Sequence, residues 1–315
     1  MVGSVKLEDL AERSYERLGS EVLKQALRVQ SEVLQAAGAF LRQEGFIEIL
    51  PVMMSPVTDP LRHATGKAEV EYYGQRYQLT RSMLLHKQML LLSHSRVFAF
   101  SPNIRLEPVE LADTGRHLAE FTQLDLEVKG AKREEVMDLG ERLLIHILSQ
   151  VKHRCAEEMQ FFARDLVVPA RPFESITYRQ AYEQYAGSFE AVISAQHREP
   201  VWIVDIPLQA REFYDREDPQ RPGTLLDMDL LYPEGFGEAL SGGEREYVYE
   251  RILARIAKTT LRPEDFRPYL DLAQRGLSPS AGFGIGIERL TRFICGRKRI
   301  EDVVPFPKTP GELSL

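Results

Sequence analysis

"GFGIGIERL", residues 282–290, sets a glycine at every second position and ends on a Glu-Arg pair. A dinucleotide-binding turn has the form Gly-x-Gly-x-x-Gly, with its last glycine inside the following helix. Here Gly282, Gly284 and Gly286 keep strict period two, and Ile287 stands where that turn needs glycine. Period two belongs to a strand. Ala281, Phe283, Ile285 and Ile287 then share a buried face, while the opposite face carries no side chain at three successive positions. Glycine weakens a strand, so three in register need a cause. Two causes stay open from this stretch alone: a flat backbone floor for a large planar ligand, or the close packing of a helix.

The chain has 315 residues, of which 43% are hydrophobic, enough for a sizeable core of one or two domains. Its formal net charge is −7, the opposite of the basic field a dedicated nucleic-acid binder carries. The two cysteines, Cys155 and Cys295, fall in apolar helical patterns and read as inert core thiols. They are too few for a disulfide framework or a zinc site. The first residues are too charged for a signal peptide, and no apolar run approaches a membrane span. A soluble, cytoplasmic protein without membrane contact is expected.

Residues 21–44 show a helical period and stop at Gly45. "FIEILPVMM" (46–54) reads as a strand interrupted by Pro51, which suits an edge or an interface. Helices are expected over 83–93, 132–159, 245–259, 264–275 and 287–295. Strands are expected in "VFAFSPNIRLE", "AEFTQLDLEV", "VWIVDIP", "LLDMDLLY" and "GEALS". Strands joined by short polar connections favour an antiparallel sheet with helices packed on one side, an α+β domain. The expected division is an N-terminal extension over 1–20 and one catalytic domain over 21–315.

The central hairpin repeats the pattern of the glycine stretch. Phe98, Phe100, Ile104 and Leu106 alternate with Ala99, Ser101, Asn103, Arg105 and Glu107; Leu124 and Leu126 alternate with Phe121, Gln123, Asp125 and Glu127. A half-exposed sheet is common in antiparallel folds. Ordinary wet faces, however, favour Thr, Lys and Ser, and this one offers arginine, carboxylates and an aromatic beside three glycines. It reads as a binding floor. In "LLDMDLLYPEGFGEALSGGERE" (225–246), Asp227 and Asp229 share a strand face, and Glu238 and Ser241 follow. Hard oxygen ligands of this kind suit Mg²⁺ shared with substrate phosphates.

Together these segments resemble the catalytic core of class II aminoacyl-tRNA synthetases, in the aspartyl and asparaginyl branch. "FLRQEGFIEILPVMM" resembles the first signature motif of that family, a helix and strand at a two-fold interface centred on Pro51. "NIRLEPVELADTGRHLAEFTQLDLEV" resembles the second, and "GFGIGIERLTRFICG" with "PFPKTPG" the third. The likeness runs from about residue 30 to 311.

The resemblance implies a set of roles. Arg105 meets the α-phosphate and the carboxylate being activated. Arg289, Arg116 and His117 hold the γ-phosphate end of a bent ATP. Phe121 stacks on adenine opposite Arg289; adenine and ribose lie on the glycine strand, Gly286 included, which ends at Arg289; and Glu107 faces the adenine amino group or a metal. Glu238, Ser241 and Asp229 hold Mg²⁺. Arg105, Arg289 and Glu238 are the catalytic candidates. Lys87 in "LLHKQ" and Arg245 in "SGGER" match cations facing a substrate carboxylate. Gln123 and Asp125 match groups around the α-amino end, with Ser241 also on the amino-acid side. Aspartate is the implied amino acid.

Departures from the family pattern refine that expectation. The family's anticodon-binding barrel has no counterpart before residue 20. Ser280 in "SPSAGFG" replaces a histidine, and "RSMLLHKQ" keeps only Lys87 and Gln88 of its pattern. This combination resembles archaeal asparagine synthetases related to asparaginyl-tRNA synthetase. It implies a homodimer that uses aspartate, ATP and ammonia, without anticodon-domain binding of tRNA. The alternatives are an aminoacyl transferase to tRNA or protein, and a non-catalytic regulatory paralogue.

Overall fold

The computed structural model describes residues 7–63 and 65–315; Met1–Lys6, the start of the expected extension, lie outside the described residues. Helices α1 (Leu7–Gly19) and α2 (Glu21–Gln43) precede two short strands, β1 (Ile47–Glu48) and β2 (Met54–Ser55). A hairpin follows, β3 (Glu69–Tyr72) and β4 (Gln75–Leu79), then α3 (Leu84–Leu90), β5 (Arg96–Ile104) and β6 (Glu120–Lys129). Next come α4 (Arg133–Arg154), α5 (Ala156–Phe161), β7 (Glu174–Thr177), α6 (Tyr178–Tyr185), α7 (Phe189–Gln196) and β8 (Val201–Val204). The chain closes with β9 (Asp227–Tyr232), β10 (Gly237–Glu244), α8 (Tyr249–Ile256), α9 (Arg267–Gly276), β11 (Ser280–Gly286) and α10 (Ile287–Ile294).

Eight strands form one sheet in the order β1-β5-β6-β11-β10-β9-β8-β7. The fold is α+β and the sheet mostly antiparallel; β1–β5 and β7–β8, the outermost pairs, are parallel. The apolar face of β5, β6, β10 and β11 meets α2, α4 and α10 through Val29, Val33, Leu143, Ile147, Leu290 and Phe293, which pack on Phe98, Leu126, Leu240 and Phe283. Each such side chain contributes about 1.5–3 kcal/mol on burial. The register of every central strand is thereby pinned, because a slip of one residue would turn the apolar set outward.

Helix α2 ends as its sequence dictates. Gly45 takes φ +81°, its N–H bonds Arg42 O at 3.1 Å, and the Phe46 N–H bonds Leu41 O at 3.0 Å. These two bonds satisfy carbonyls the last turn leaves free and aim the chain into β1.

Three expectations need correction. Residues 46–54 are not one strand: only two-residue segments flank an open stretch around Pro51, which cannot donate to a ladder. The long helix breaks at Cys155, between α4 and α5. The hairpin β3–β4 and the helices α6 and α7 were not anticipated. Helix α1 lies against the domain, with Leu10 buried and the Arg17 Nε donating to Val304 O at 2.9 Å.

Candidate active site

The face of the sheet opposite α2, α4 and α10 lines a cavity of about 250 Å³. Strand register arranges its side chains in rows. Glu127 pairs with Gly282, Gly282 with Gly243, and Gly243 with Asp227. The next row runs Ala99, Asp125, Gly284, Ser241, Asp229, and the next pairs Ser101, Gln123 and Gly286. The glycines now have a cause. A Cβ on Gly282 would stand 2.2 Å from Glu127 Oε2, and one on Gly243 2.2 Å from Asp227 Oδ1. Gly284 has Asp125 Oδ1 and Gln123 Nε2 at 3.2 Å. The bare face is therefore filled by neighbouring carboxylates at Gly282 and Gly284. It is not flat along its whole length; at Gly286 only the Arg289 side chain approaches, at 3.7 Å.

At the deep end, Lys87 on α3 is 3% exposed. Its Nζ donates to Asp125 Oδ1 at 3.0 Å and Phe283 O at 3.1 Å, with Glu127 Oε2 at 3.6 Å. Arg245 donates through Nε to Glu127 at 3.2 Å, through Nη1 to Asp215 at 3.1 Å and through Nη2 to Gly282 O at 2.8 Å. Ser280 donates its hydroxyl to Glu127 at 2.9 Å. Glu127, given no role from sequence, is thus the anion that joins the two cations. Neither Lys87 nor Arg245 is without a partner within the chain. They are already matched by Asp125, Glu127 and Asp215.

Beside them, Arg211 Nη2 contacts both oxygens of Asp229, at 2.6 and 2.5 Å, and its Nε lies 3.4 Å from Asp227 Oδ2. Ser241 stands opposite Asp229 in the register of β9 and β10. Burial pushes the Asp215, Asp227 and Asp229 carboxyls above the ordinary range, and for Asp227 the neighbouring Asp215 adds to the effect. Arg211 and Asp215 come from "REFYDRE" (211–217), a segment without regular structure, and no periodic signal marks them.

At the other end, Arg105 lies over the Phe121 ring at 5.0 Å, donates Nε to Arg81 O at 3.1 Å and reaches Gln123 Oε1 with Nη2 at 3.3 Å. Phe121 is therefore a platform for Arg105. Glu107 receives His63 Nε2 at 3.0 and 3.1 Å, a partner from the 56–68 segment that sequence did not indicate. That contact, opposed by burial, holds its carboxyl below the usual range. Arg289 pairs with Glu238 at 3.0 Å. Burial acts to raise the Glu238 carboxyl, and Arg289, Arg211 and Arg116 reverse it. Arg116 Nη1 lies close over Gly237, which takes φ +76°.

His117 lies among these arginines. Burial, then Arg289 and Arg116, depress its imidazole to about 4. It is neutral at pH 7, with Nδ1 2.6 Å from Thr114 Oγ1. At that pH it offers a hydrogen bond to a phosphate, not a charge.

Among the described residues no three His, Cys, Asp or Glu side chains stand close enough to enclose a metal. Asp229, Glu238 and Ser241 are hard oxygen donors on adjacent strands, and the two carboxylates feel one another's charge. That set fits a Mg²⁺ that takes its remaining ligands from phosphates and water. No described helix is long and apolar enough to cross a membrane.

The family described as tRNA synthetases class II (D, K and N) matches residues 7–310. The asparagine–tRNA ligase of Koribacter versatilis (strain Ellin345) is 30% identical over 325 residues, spanning 96% of this chain and 72% of that protein. That of Thermococcus gammatolerans is 28% identical over 312 residues, spanning 94% and 71%. The solved asparaginyl-tRNA synthetase of Pyrococcus horikoshii, complexed with asparaginyl-adenylate, superposes with a TM-score of 0.89 at 27% identity, over 98% of this chain and 74% of that one. These relatives are named for ligation to tRNA, not for asparagine formation. Matched by that family's model over residues 7–310, the chain belongs to the class II tRNA synthetase family (D, K and N).

Proposed function

We propose that this chain adenylates aspartate with ATP and passes the activated carbonyl to ammonia, giving asparagine, AMP and pyrophosphate. The observation that carries the choice of aspartate is the donor count at Lys87 and Arg245. Lys87 has three N–H donors and uses two; Arg245 has five and uses four. Each keeps one donor, and both side chains line the cavity. Two spare cationic donors suit the two oxygens of one carboxylate.

The chemistry follows from positions. The second carboxylate of aspartate attacks the α-phosphorus; a P–O bond forms and the bond to pyrophosphate breaks. Arg105 is placed to neutralise the charge at that phosphorus. Arg289 and Arg116 face the departing end, so catalysis is mainly alignment and charge stabilisation. Mg²⁺, held by Glu238, Asp229 and Ser241, would screen phosphate charge when bound. Ammonia then attacks the acyl carbon, AMP leaves with the bonding pair, and the new amide nitrogen loses a proton. The side-chain carboxylate must be the one activated if the product is asparagine. Cys155 and Cys295 take no part; burial raises their thiols to about 11 and about 12.

The relatives favour a second reading, activation of asparagine and its transfer to tRNA, since those proteins are named asparagine–tRNA ligases. One assay separates the two. AMP release is measured with aspartate or asparagine, with and without ammonium chloride, and with and without tRNA. Ammonium-stimulated AMP release with aspartate, and asparagine as product, supports the proposal. Asparagine-dependent charging of tRNA, with aspartate inert, replaces it with the second reading.

A further inference from the structure

Arg292 stands on α10, about one turn beyond Arg289, and is 6% exposed. Its guanidinium ties three separate stretches of backbone. Nη1 donates to Gly115 O at 3.2 Å and to Lys298 O at 3.1 Å, and Nη2 donates to Phe236 O at 2.8 Å. The same group lies 5.3 Å from the centre of the Phe236 ring. Among the described residues its hydrogen-bond partners are carbonyls and not carboxylates, and Nε is buried with no partner. Burial, then Arg289 and Arg116, bring its guanidinium down to about 10. It stays protonated at pH 7, a buried cation held by backbone carbonyls.

A buried charge bonded only to neutral groups is costly. What the planar fork adds is reach, because donors in fixed directions hold several acceptors at once. Two of the three acceptors bear on one residue of the site. Gly115 directly precedes Arg116. It takes φ +65°, a Cβ there would stand 3.1 Å from Lys298 O, and its carbonyl also accepts the Ile300 N–H at 2.8 Å. Phe236 directly precedes Gly237, and Arg116 Nη1 would lie 3.1 Å from a Cβ on that glycine. Arg289 Nε reaches Arg116 O at 3.4 Å. Arg292 thus fixes both the loop that carries Arg116 and the start of β10 beneath its guanidinium. Arg292 is not among the residues that line the cavity, so any effect on a ligand there passes through another group.

We propose that Arg292 is a positioning residue for the pyrophosphate end of ATP, acting by holding Arg116 against the start of β10. The proposal rests on the reading of Arg116 as a ligand of the departing phosphates. It is independent of which amino acid is activated.

The test measures by calorimetry the binding of MgATP, magnesium pyrophosphate and AMP to the full chain. Arg292→Lys keeps the charge and loses the fork; Arg292→Met removes both. Each is expected to weaken ATP and pyrophosphate at least tenfold. AMP, which has no β- or γ-phosphate, should stay within twofold. In an Arg116→Ala background the further loss from Arg292→Lys should stay below threefold. Unmoved pyrophosphate affinity in folded Arg292→Lys overturns the positioning role. An equal loss for AMP and ATP also overturns it, since damage to the whole site does not discriminate between them. So does a full tenfold further loss on top of Arg116→Ala, which would show the two arginines acting separately. Arg292→Lys carries the test alone if Arg292→Met does not fold. If Arg116→Ala by itself binds pyrophosphate as the wild type does, the reading beneath the proposal fails. That result is distinct from an Arg116 effect that the Arg292 variants do not share.

Discussion

Arg289 Nη1 and Glu238 Oε1 lie 3.0 Å apart, so the cation expected at the departing phosphates and the carboxylate expected at the metal neutralise one another. ATP with Mg²⁺ offers each a stronger partner and exchanges one ion pair for two. Truncating either leaves the other half-buried and unmatched. Arg289→Ala and Glu238→Ala are each expected to slow aspartate-dependent AMP formation by about a hundredfold or more, the scale for one preorganised charge-stabilising group. Pyrophosphate exchange into ATP is the check, and unchanged turnover in both variants would remove these residues from the catalytic set.

Lys87 sits between Asp125 and Glu127 with almost no exposure. Lys87→Met keeps the volume but leaves two buried carboxylates without that cation. The expected cost is about 3–5 kcal/mol of stability, as for one partner lost from a buried pair. KM for aspartate should rise far more than KM for ATP. Chemical denaturation and steady-state kinetics give the two quantities separately. A folded variant with unaltered aspartate kinetics would show that Lys87 serves the sheet and not the substrate.

How much could be read in advance follows from what each segment packs against. Strand β11 was legible because one face is apolar and buried while the other carries no side chain at three successive positions, so its period survives in the sequence. The hairpin β3–β4 was missed: Val70 and Tyr72 alternate with Glu69 and Glu71, but every residue of β3 is exposed, so the alternation marks no buried face. Lys87, Gln123, Asp125, Arg245 and Arg289 were found through motif likeness, and the structure brings them to one cavity. What the sequence could not convey was their charge balance. Glu127 lies in the middle of a strand and looks like any other outward residue until Arg245 and Lys87 arrive from distant segments. Asp215 and Arg211 depend on tertiary packing, with Phe213 between them anchored in a second core cluster.

Ile47, Leu50, Met53 and Met54 are all exposed, Leu50 by 92%, in the open stretch around Pro51. An apolar run of this kind on a surface marks an association site. Closed two-fold dimers are the commonest assembly. Light scattering is expected to give twice the 36.0 kDa chain mass, and Leu50→Lys is expected to shift the population to monomer. A monodisperse monomer in the wild type at micromolar concentration would contradict this.

Glu288 gives a pH dependence whose sign can be worked out. Its carboxylate, on α10, receives the Thr122 N–H at 2.9 and 3.1 Å. Burial is the largest influence on it; it and the nearby Glu120 push the carboxyl up to about 7, from 4.5 in the unfolded chain, against the hydrogen bonds from Thr122. Below 4.5 both states hold the proton. Between 4.5 and 7 the folded protein keeps a proton that the unfolded chain has released, so stability falls as pH rises through this window. Above 7 both states are ionised and the loss is complete. At about 1.4 kcal/mol per pH unit, the loss from this group is on the order of 3 kcal/mol. Glu288→Gln keeps an oxygen to accept from Thr122 and cannot ionise. Urea unfolding of both proteins from pH 4.5 to 8 should show the wild type falling away from the variant by that amount, with most of the divergence before pH 7. Parallel stability curves across the whole range would show that Glu288 ionises in the fold as it does in the unfolded chain.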